Sequence, residues 1–411
     1  MSMKKSTIKK YAKLIVRIGA NVQKGQDVII FANADQSDFV ALVADEAYKA
    51  GAKRVTVRWS CDKLTKLAFR HQSTRTLSEV LSWEEERMKW TVDNLPCYIH
   101  IVSDDPDGLR GINMEKVQKA TQARYKVLKK YNDALDNKHQ WTIAAIPSEA
   151  WAKKVFPGLR KSAAIEKLWQ AILESVYVTD DNDPIQVWNK VNADFKERCD
   201  KLNSYHFDHI SYKSSNGTDF TCWLMPQSVW NGGGEYDLSG RYFNPNMPTI
   251  EIFTSPQKGR AEGKVVSTKP LSYQGQLIEN FWFEFKDGKV SDFGAEKGKE
   301  LLEKMVTMDE GASMIGELAL VQYDSPINNQ NILYYETLFD ENASCHIALG
   351  KGFKDCVRGY ENLSDKDFEE MGLNDSMIHV DFMIGSADMS ITGYTADGSA
   401  VKIFENGNFV I

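Results

Sequence analysis

The chain has 411 residues, enough for two domains of ordinary size, each with its own hydrophobic core. Hydrophobic residues make up 42% and charged residues 26%, which is typical of globular proteins and excludes disordered and fibrous classes. The formal net charge of −7 argues against nucleic acid as the main partner, because phosphate binding requires a basic surface.

The cysteine pattern and the chain start predict a cytoplasmic protein. The six cysteines form no Cys-x-x-Cys pair and no dense framework, which favours reduced thiols. The basic N-terminal stretch contains only the short apolar run Leu14–Val16, too short for a signal peptide. No apolar stretch approaches the roughly 20 residues needed to span a bilayer. We therefore expect no membrane partner.

The first half of the chain alternates predicted strands with amphipathic helices. Strands are predicted at 27–33, 54–59, 97–103 and 141–147, and helices at 38–52, 114–135, 160–177 and 184–203. Strands that alternate with helices predict right-handed crossovers and a doubly wound parallel sheet. We expect an N-terminal α/β domain over residues 1–190.

The second half is rich in strands. Residues 207–225 contain two alternating runs around an Asn-Gly turn, and residues 280–293 turn at Asp-Gly, so both predict hairpins. A helix is predicted near 295–306. We expect a strand-rich α+β domain over residues 191–411.

Two ionisable residues lie inside the apolar run “SMIHVDFMIGS”, residues 376–386, where a core strand would be expected to carry apolar side chains. If this apolar run is a strand, His379 and Asp381 project from the same face, while Val380 and Phe382 project from the other. Such a pair can supply two ligands to one metal ion. The alternative is a core histidine held by a neighbouring carboxylate, since motifs this short match often.

Ionisable residues also lie inside or beside apolar runs in three other segments. Glu317 lies inside “SMIGELALVQY”, Glu251 lies between two isoleucines, and Glu341 and His346 precede the apolar run “IAL”. Burial of an ionised carboxylate costs several kcal/mol unless it is paired or bound to a metal.

Carboxylates together with two imidazoles suit zinc, cobalt or manganese rather than calcium. Six such ligands are too many for one tetrahedral zinc, but they suit two ions that share a carboxylate. The absence of cysteine ligands argues against a closed structural zinc site.

Five segments in the same order carry a family resemblance: “NMPTIEIFTSP”, “STKPLSYQG”, “GELALV”, “DENASCHIALG” and “HVDFMIGS”. They resemble the aminopeptidase T and aminopeptidase S family of dinuclear metallopeptidases, over essentially the whole chain. The resemblance implies a cytoplasmic, homodimeric exopeptidase that removes N-terminal residues from peptides. It implies that the enzyme uses two divalent ions, such as zinc or cobalt, for this reaction.

The resemblance also implies a ligand set. The family's metal ligands fall on Glu251, Glu317, His346, His379 and Asp381 of this chain, and Glu341 matches a further acidic position. The resemblance does not say which carboxylate bridges the ions.

One position departs from the family pattern. The family places an active-site tyrosine seven residues after the “ENASCH” histidine, where this chain has Phe353. Phenylalanine cannot donate a hydrogen bond to a developing oxyanion, so another donor such as Tyr360 is needed or activity is reduced.

Three other functions remain open on sequence grounds. One is a dinuclear metal hydrolase acting on non-peptide amides, and a second is a metal-stabilised binding protein with weakened catalysis, which Phe353 makes conceivable. The third is nucleotide binding by the α/β half, although no Gly-x-Gly-x-x-Gly follows its first strand and fold analogy does not assign a ligand.

Overall fold

The computed structural model describes residues 3–273 and 275–411, which form two compact units. The first unit comprises residues up to Lys190 together with Gly234–Pro248, and the second comprises Val191–Gly233 with Thr249–Ile411. The domain limits of 1–190 and 191–411 stay a prediction. The segment Gly234–Pro248 belongs to the first unit although it follows part of the second in sequence.

The first unit is built on a parallel sheet, here called sheet I. Its five strands lie in the order Asn246–Met247, Trp141–Ala145, Cys97–Val102, Asp27–Asn33 and Arg54–Ser60. The α-helices that accompany them are Lys5–Leu14, Ser37–Ala50, Asp62–His71, Thr74–Ser78, Ser82–Asn94, Met114–Leu135, Glu149–Val155, Lys161–Ser175 and Pro184–Tyr205, the last of which runs on into the second unit. The short pair Glu235–Tyr236 and Tyr242–Phe243 completes the unit.

Local sequence explains these elements. In the helix Ser37–Ala50, Phe39, Val43 and Ala47 recur at helical spacing and are buried, so this face packs on the core. The helix ends at Gly51, whose φ of 100° lies in the left-handed region that closes helices. The parallel sheet and its helices confirm the predicted α/β class of the first half.

The second unit contains two antiparallel sheets, which confirms the predicted strand-rich second half. Sheet II has five strands in the order His379–Met383, His346–Gly350, Ile315–Leu320, Ile252–Thr254 and Asn231–Gly232. Sheet III has nine strands: Phe207–Lys213, Asp219–Leu224, Pro256–Val266, Leu271–Tyr273, Gln276–Lys286, Lys289–Lys297, Ser390–Thr395, Ala400–Glu405 and Asn408–Phe409. Both predicted hairpins are present in sheet III. The α-helices are Lys299–Val306, Pro326–Asn329, Thr337–Asp340 and Asp365–Met371.

The core of the second unit is formed by side chains of both sheets. Sheet II contributes one face, with Leu318, Ile347, Leu349 and Phe382 fully or almost fully buried. Phe382 packs against Phe281 and Phe283 of sheet III, with ring centroids 5.6 and 5.1 Å apart. Burial of each large apolar side chain contributes about 1.5–3 kcal/mol, so this face is fixed against the core. The opposite face of sheet II is therefore the one available for polar chemistry.

Candidate metal centre

Five ionisable side chains share the face of sheet II that points away from the core. Glu317 pairs across the sheet with Ala348, which pairs in turn with Asp381. His346 and His379 lie at even spacing from Ala348 and Asp381 on the same strands, and Glu251 directly precedes the strand Ile252–Thr254. Because side chains alternate along a strand, the apolar neighbours enter the core while these five groups converge on one side.

A bulge and several small residues shape this face. The register of the strand Ile315–Leu320 shifts between Ile315 and Glu317, so Gly316 is the extra residue of a β-bulge. A Cβ at Gly316 would lie 2.3 Å from the carbonyl oxygen of Gly350, so only glycine fits there. Ala348 is fully buried between Glu317 and Asp381, and its methyl group leaves room for the longer side chains on either side.

The side-chain atoms form two overlapping groups. Glu251, Glu317 and His346 each offer one ligand atom, and these atoms lie within 4.8 Å of one another. Glu317, His379 and Asp381 form a second group by the same measure. Glu317 is common to both, so its carboxylate lies where two ions could share it.

Each histidine is oriented by a backbone carbonyl. His379 Nδ1 lies 2.7 Å from the carbonyl oxygen of Lys351, and His346 Nδ1 lies 3.3 Å from that of Ser344. If each Nδ1–H donates to its carbonyl, each Nε2 faces the carboxylates. His346 Nε2 lies 3.2 Å from Glu251 Oε2. This is the arrangement by which proteins orient an imidazole for metal ligation.

Burial and mutual repulsion shift the pKa values of the acids. Burial raises the pKa of Glu317 to about 7. Burial also raises the pKa of Glu341 well above its usual range, and the carboxylates of Glu251 and Asp381 add to the effect. For Asp381 burial acts in the same direction, but the imidazole of His379 outweighs it and lowers the pKa to about 2.

The pKa values of both histidines are raised by neighbouring carboxylates. Burial opposes the charged form of His346, but the carboxylate of Glu251 outweighs it and raises the pKa to about 10. His379 is likewise raised well above its usual pKa, because Asp381 and Glu317 outweigh its burial. In the metal-free protein, protons on the imidazoles therefore offset part of the carboxylate charge.

Two buried carboxylate oxygens indicate that a further positive group fits the centre. Among the described residues, Glu251 Oε2 and Asp381 Oδ1 receive no well-directed hydrogen bond, although each lies 3.2 Å from an imidazole Nε2, that of His346 and that of His379 respectively. Buried polar atoms are rarely left in this state, since each costs about 1–3 kcal/mol. Oxygen and imidazole donors in two groups are suited to divalent ions such as zinc, cobalt or manganese. The donor set therefore fits two divalent metal ions.

Of the remaining predicted residues, Glu341 and Phe353 adjoin this centre and Tyr360 does not. Glu341 is in the 3₁₀ turn Glu341–Ala343 and borders a small cavity together with Asp381. The ring of Phe353 lies against His379, with centroids 4.7 Å apart, and against Phe253 at 5.6 Å. Tyr360 packs instead on a separate apolar cluster of Met225, Val357, Phe368 and Leu373.

Sequence reasoning missed the residues that shape and orient the centre. Gly316 had a usable signal, since a glycine inside a strand pattern often marks a bulge. The carbonyls of Ser344 and Lys351 had none, because any residue supplies a carbonyl. Ala348 had none either, because its importance arises from cross-strand neighbours that are distant in sequence.

Replacement of Ala348 by valine is expected to lower metal affinity by roughly 10–100-fold, the range seen when groups behind metal ligands are altered. The added methyl groups would push Glu317 and Asp381 apart, whereas valine itself suits a strand. Metal titration and thermal unfolding measure both effects. Ile347→Val, on the core face, is the matched control and should cost about 1 kcal/mol of stability without changing affinity. Unchanged metal binding in Ala348→Val would contradict the packing argument.

Comparison with known proteins identifies the family to which this chain belongs. The model of the thermophilic metalloprotease (M29) family matches residues 4–409. The chain is 44% identical to aminopeptidase AmpS of Bacillus subtilis over 400 residues, which cover 97% of each protein. It is 39% identical to aminopeptidase 2 of Geobacillus stearothermophilus over 401 residues, again 97% of each. The structure of wild-type AmpT from Thermus thermophilus superposes with a TM-score of 0.91 at 34% identity, covering 99% of this chain and 100% of that one. This chain belongs to the thermophilic metalloprotease family M29.

Proposed function

We propose that this protein is a metal-dependent aminopeptidase that hydrolyses N-terminal residues from peptides at a centre of two divalent ions. The observation that carries the proposal is the pair of ligand groups on one face of sheet II that share Glu317. The relatives at 39–44% identity are named as aminopeptidases, which supports peptides with a free N-terminus as substrates.

We assign the ligand set as follows. Glu251 and His346 would hold one ion, His379 and Asp381 would hold the other, and Glu317 would contribute to both. Glu341 would complete the set from the edge of the centre. Bound there, the ions would supply activation of a water molecule and polarisation of the scissile carbonyl.

The chain's own groups orient both imidazoles and cover one of them. The carbonyls of Lys351 and Ser344 fix the two imidazoles. The ring of Phe353 covers His379 on one side, in the place where the family resemblance puts a tyrosine. Its phenyl group supplies packing but no hydrogen-bond donor, so the site stabilises a developing oxyanion without that hydroxyl.

We further propose zinc or cobalt as the ions, a cytoplasmic location and a homodimeric assembly. The donor set of carboxylates and imidazoles supports the choice of ions. The six cysteines, which are all free thiols, support a reducing compartment. Among the described residues no helix is long and apolar enough to cross a membrane. The homodimer rests on the family resemblance.

The proposed function is tested with one peptide in two forms, with a free and with an acetylated N-terminus. The protein loaded with zinc or cobalt is expected to release the first residue of the free peptide and to leave the acetylated peptide intact. Protein treated with a chelator is the matched control and should release nothing. Equal cleavage of both peptides, or preference for simple amides, would favour a different hydrolase. Uptake of two ions without turnover of any peptide would favour a binding protein.

A further inference from the structure

The carbonyl group of Lys351 orients the imidazole of His379, and the backbone around it is held by hydrogen bonds. Lys351 directly follows the strand His346–Gly350, and its carbonyl oxygen lies 2.7 Å from His379 Nδ1. The Lys351 amide donates a hydrogen bond of 2.7 Å to the carbonyl oxygen of Ile378. Because peptide groups are planar, the direction of a carbonyl is set by the two peptide groups that flank its residue. The contacts of these two groups therefore decide where the Lys351 carbonyl points.

Asn374 contacts both of these peptide groups. It lies in the loop that precedes the strand His379–Met383 and has only 1% of its surface exposed. Its side-chain Nδ2 donates to the carbonyl oxygen of Gly350 at 2.5 Å. Its own carbonyl oxygen accepts the amide proton of Gly352 at 2.8 Å. Asn374 thus holds the chain immediately before and immediately after Lys351.

The side chain of Asn374 acts as a donor. Nδ2 donates a second hydrogen bond to the carbonyl oxygen of Gly311 at 2.9 Å. Oδ1 is buried and receives no hydrogen bond from the residues that the structure describes. The amide cannot be turned over, since Oδ1 would then face two carbonyl oxygens. A buried polar atom without a partner is uncommon, and positions that break such a local rule tend to mark function.

We propose that Asn374 is a positioning residue for His379. The proposal rests on the proposed function, in which His379 is a metal ligand. By holding the peptide groups on either side of Lys351, Asn374 keeps the Lys351 carbonyl on Nδ1 of the imidazole. Nε2 then stays directed at the carboxylates, 3.0 Å from Glu317 Oε2 and 3.2 Å from Asp381 Oδ1. Groups that fix a ligand imidazole in this way raise the affinity for the metal.

The second imidazole of the centre is oriented from a different place. His346 Nδ1 lies 3.3 Å from the carbonyl oxygen of Ser344, whereas the hydrogen bonds of Asn374 go to the backbone of residues 311, 350 and 352. Loss of the Asn374 side chain should therefore disturb the ion that His379 holds and spare the ion that His346 holds. A general loss of stability would make no such distinction.

The test measures the two successive zinc affinities of the wild type and two variants by competition with a chelator. Asn374→Ala removes the donor, and Asn374→Asp keeps the shape but turns an oxygen toward the two carbonyl groups. Each variant is expected to lower the affinity for one ion by roughly 10–100-fold, the range for groups behind metal ligands, and to leave the other unchanged. Nuclear magnetic resonance of the zinc-loaded protein, labelled on its histidine rings, supplies a second readout. The Nδ1 proton of His379 should exchange with solvent faster than in the wild type, and that of His346 should not.

Asn203 offers a matched control in the same unit. Its Oδ1 accepts the amide proton of Trp230 at 2.7 Å, and its Nδ2 donates to the Trp230 carbonyl oxygen at 3.0 Å. Trp230 precedes the strand Asn231–Gly232, which lies at the edge of sheet II opposite His379–Met383. Asn203→Ala should therefore lower the Tm and keep both zinc affinities.

Unchanged affinity for both ions in a folded Asn374 variant would overturn the proposal. So would an equal fall in both affinities, since that would show a structural role. Asn374→Asp preserves the side-chain volume, so it decides the question if the cavity left in Asn374→Ala prevents folding. Zinc binding needs no turnover. Failure of the proposed function would appear separately, as a wild-type protein that takes up two ions and releases no N-terminal residue.

Discussion

Replacement of Glu317 by glutamine is expected to reduce peptide hydrolysis by about three orders of magnitude or more, because electrostatic stabilisation worth several kcal/mol would be lost with the ions. Glu317 is the residue common to both ligand groups and is almost fully buried, with 4% of its surface exposed. An amide has the same shape but cannot bridge two cations as a carboxylate does. The activity on free-amine peptides and the metal content of the purified protein are the two measurements.

Three variants distinguish a bridging role from an ordinary ligand role. Glu317→Gln should lose both ions, whereas Glu251→Gln and Asp381→Asn, each in one group only, should each weaken the binding of one ion. Glu303, exposed on the helix Lys299–Val306, offers a surface control, and Glu303→Gln should keep two ions and full activity. Two tightly bound ions and full activity in Glu317→Gln would contradict the assignment of Glu317 as a ligand of both ions.

The fold class was predictable because local patterns and tertiary structure agree. The strand Asp27–Asn33 is a nearly continuous apolar run, and the helix Ser37–Ala50 carries its own periodicity and ends at Gly51. The hairpins of sheet III carry Asn-Gly and Asp-Gly turns in the sequence. The membership of Gly234–Pro248 in the first unit had no such signal. Its strand Asn246–Met247 has only two residues, and its pairing with Trp141–Ala145 depends on contacts distant in sequence.

The sequence showed the ionisable residues of the candidate site, because they lie inside apolar runs, but it did not show the geometry of the site. Acids and histidines inside apolar strands contradict the expected pattern, and such contradictions tend to mark function. The sequence did not reveal which carboxylate is shared. That depends on the cross-strand row of Glu317, Ala348 and Asp381 and on the bulge at Gly316.

Metal binding is expected to strengthen steeply with rising pH. In the metal-free protein the pKa of His346 is raised to about 10 and that of His379 well above 6.5, so both imidazoles must release a proton when a metal ion binds. Affinity then rises by about tenfold per pH unit for each proton released. Below pH 7 the carboxyl group of Glu317, whose pKa is about 7, also carries a proton that must be released, and this adds to the pH dependence of metal affinity. Metal titration in buffers of different ionisation enthalpy counts the protons released.

The same shifts predict different stability trends for the chelated and the loaded protein. A histidine pKa that folding raises contributes stability that is fully present below the unfolded value of about 6.5 and is lost as pH rises through the folded value. For His346 that loss extends to about pH 10. Glu317 acts in the same direction, since its raised pKa costs stability from its ordinary value of 4.5 up to about 7. The loaded protein is spared this loss, because its tighter metal binding at higher pH offsets the falling stability of the metal-free form.

The difference in Tm between loaded and chelated protein isolates this effect, because groups elsewhere in the chain contribute equally to both forms. That difference should widen continuously from about pH 6 to pH 9, as tenfold gains in affinity accumulate for each proton released. Glu303→Gln should reproduce the wild-type curve, whereas Glu317→Gln should show almost no difference at any pH. A difference that stays constant with pH would mean that the imidazoles already lack the protons assigned to them. The pairing of each imidazole with a buried carboxylate would then have to be wrong.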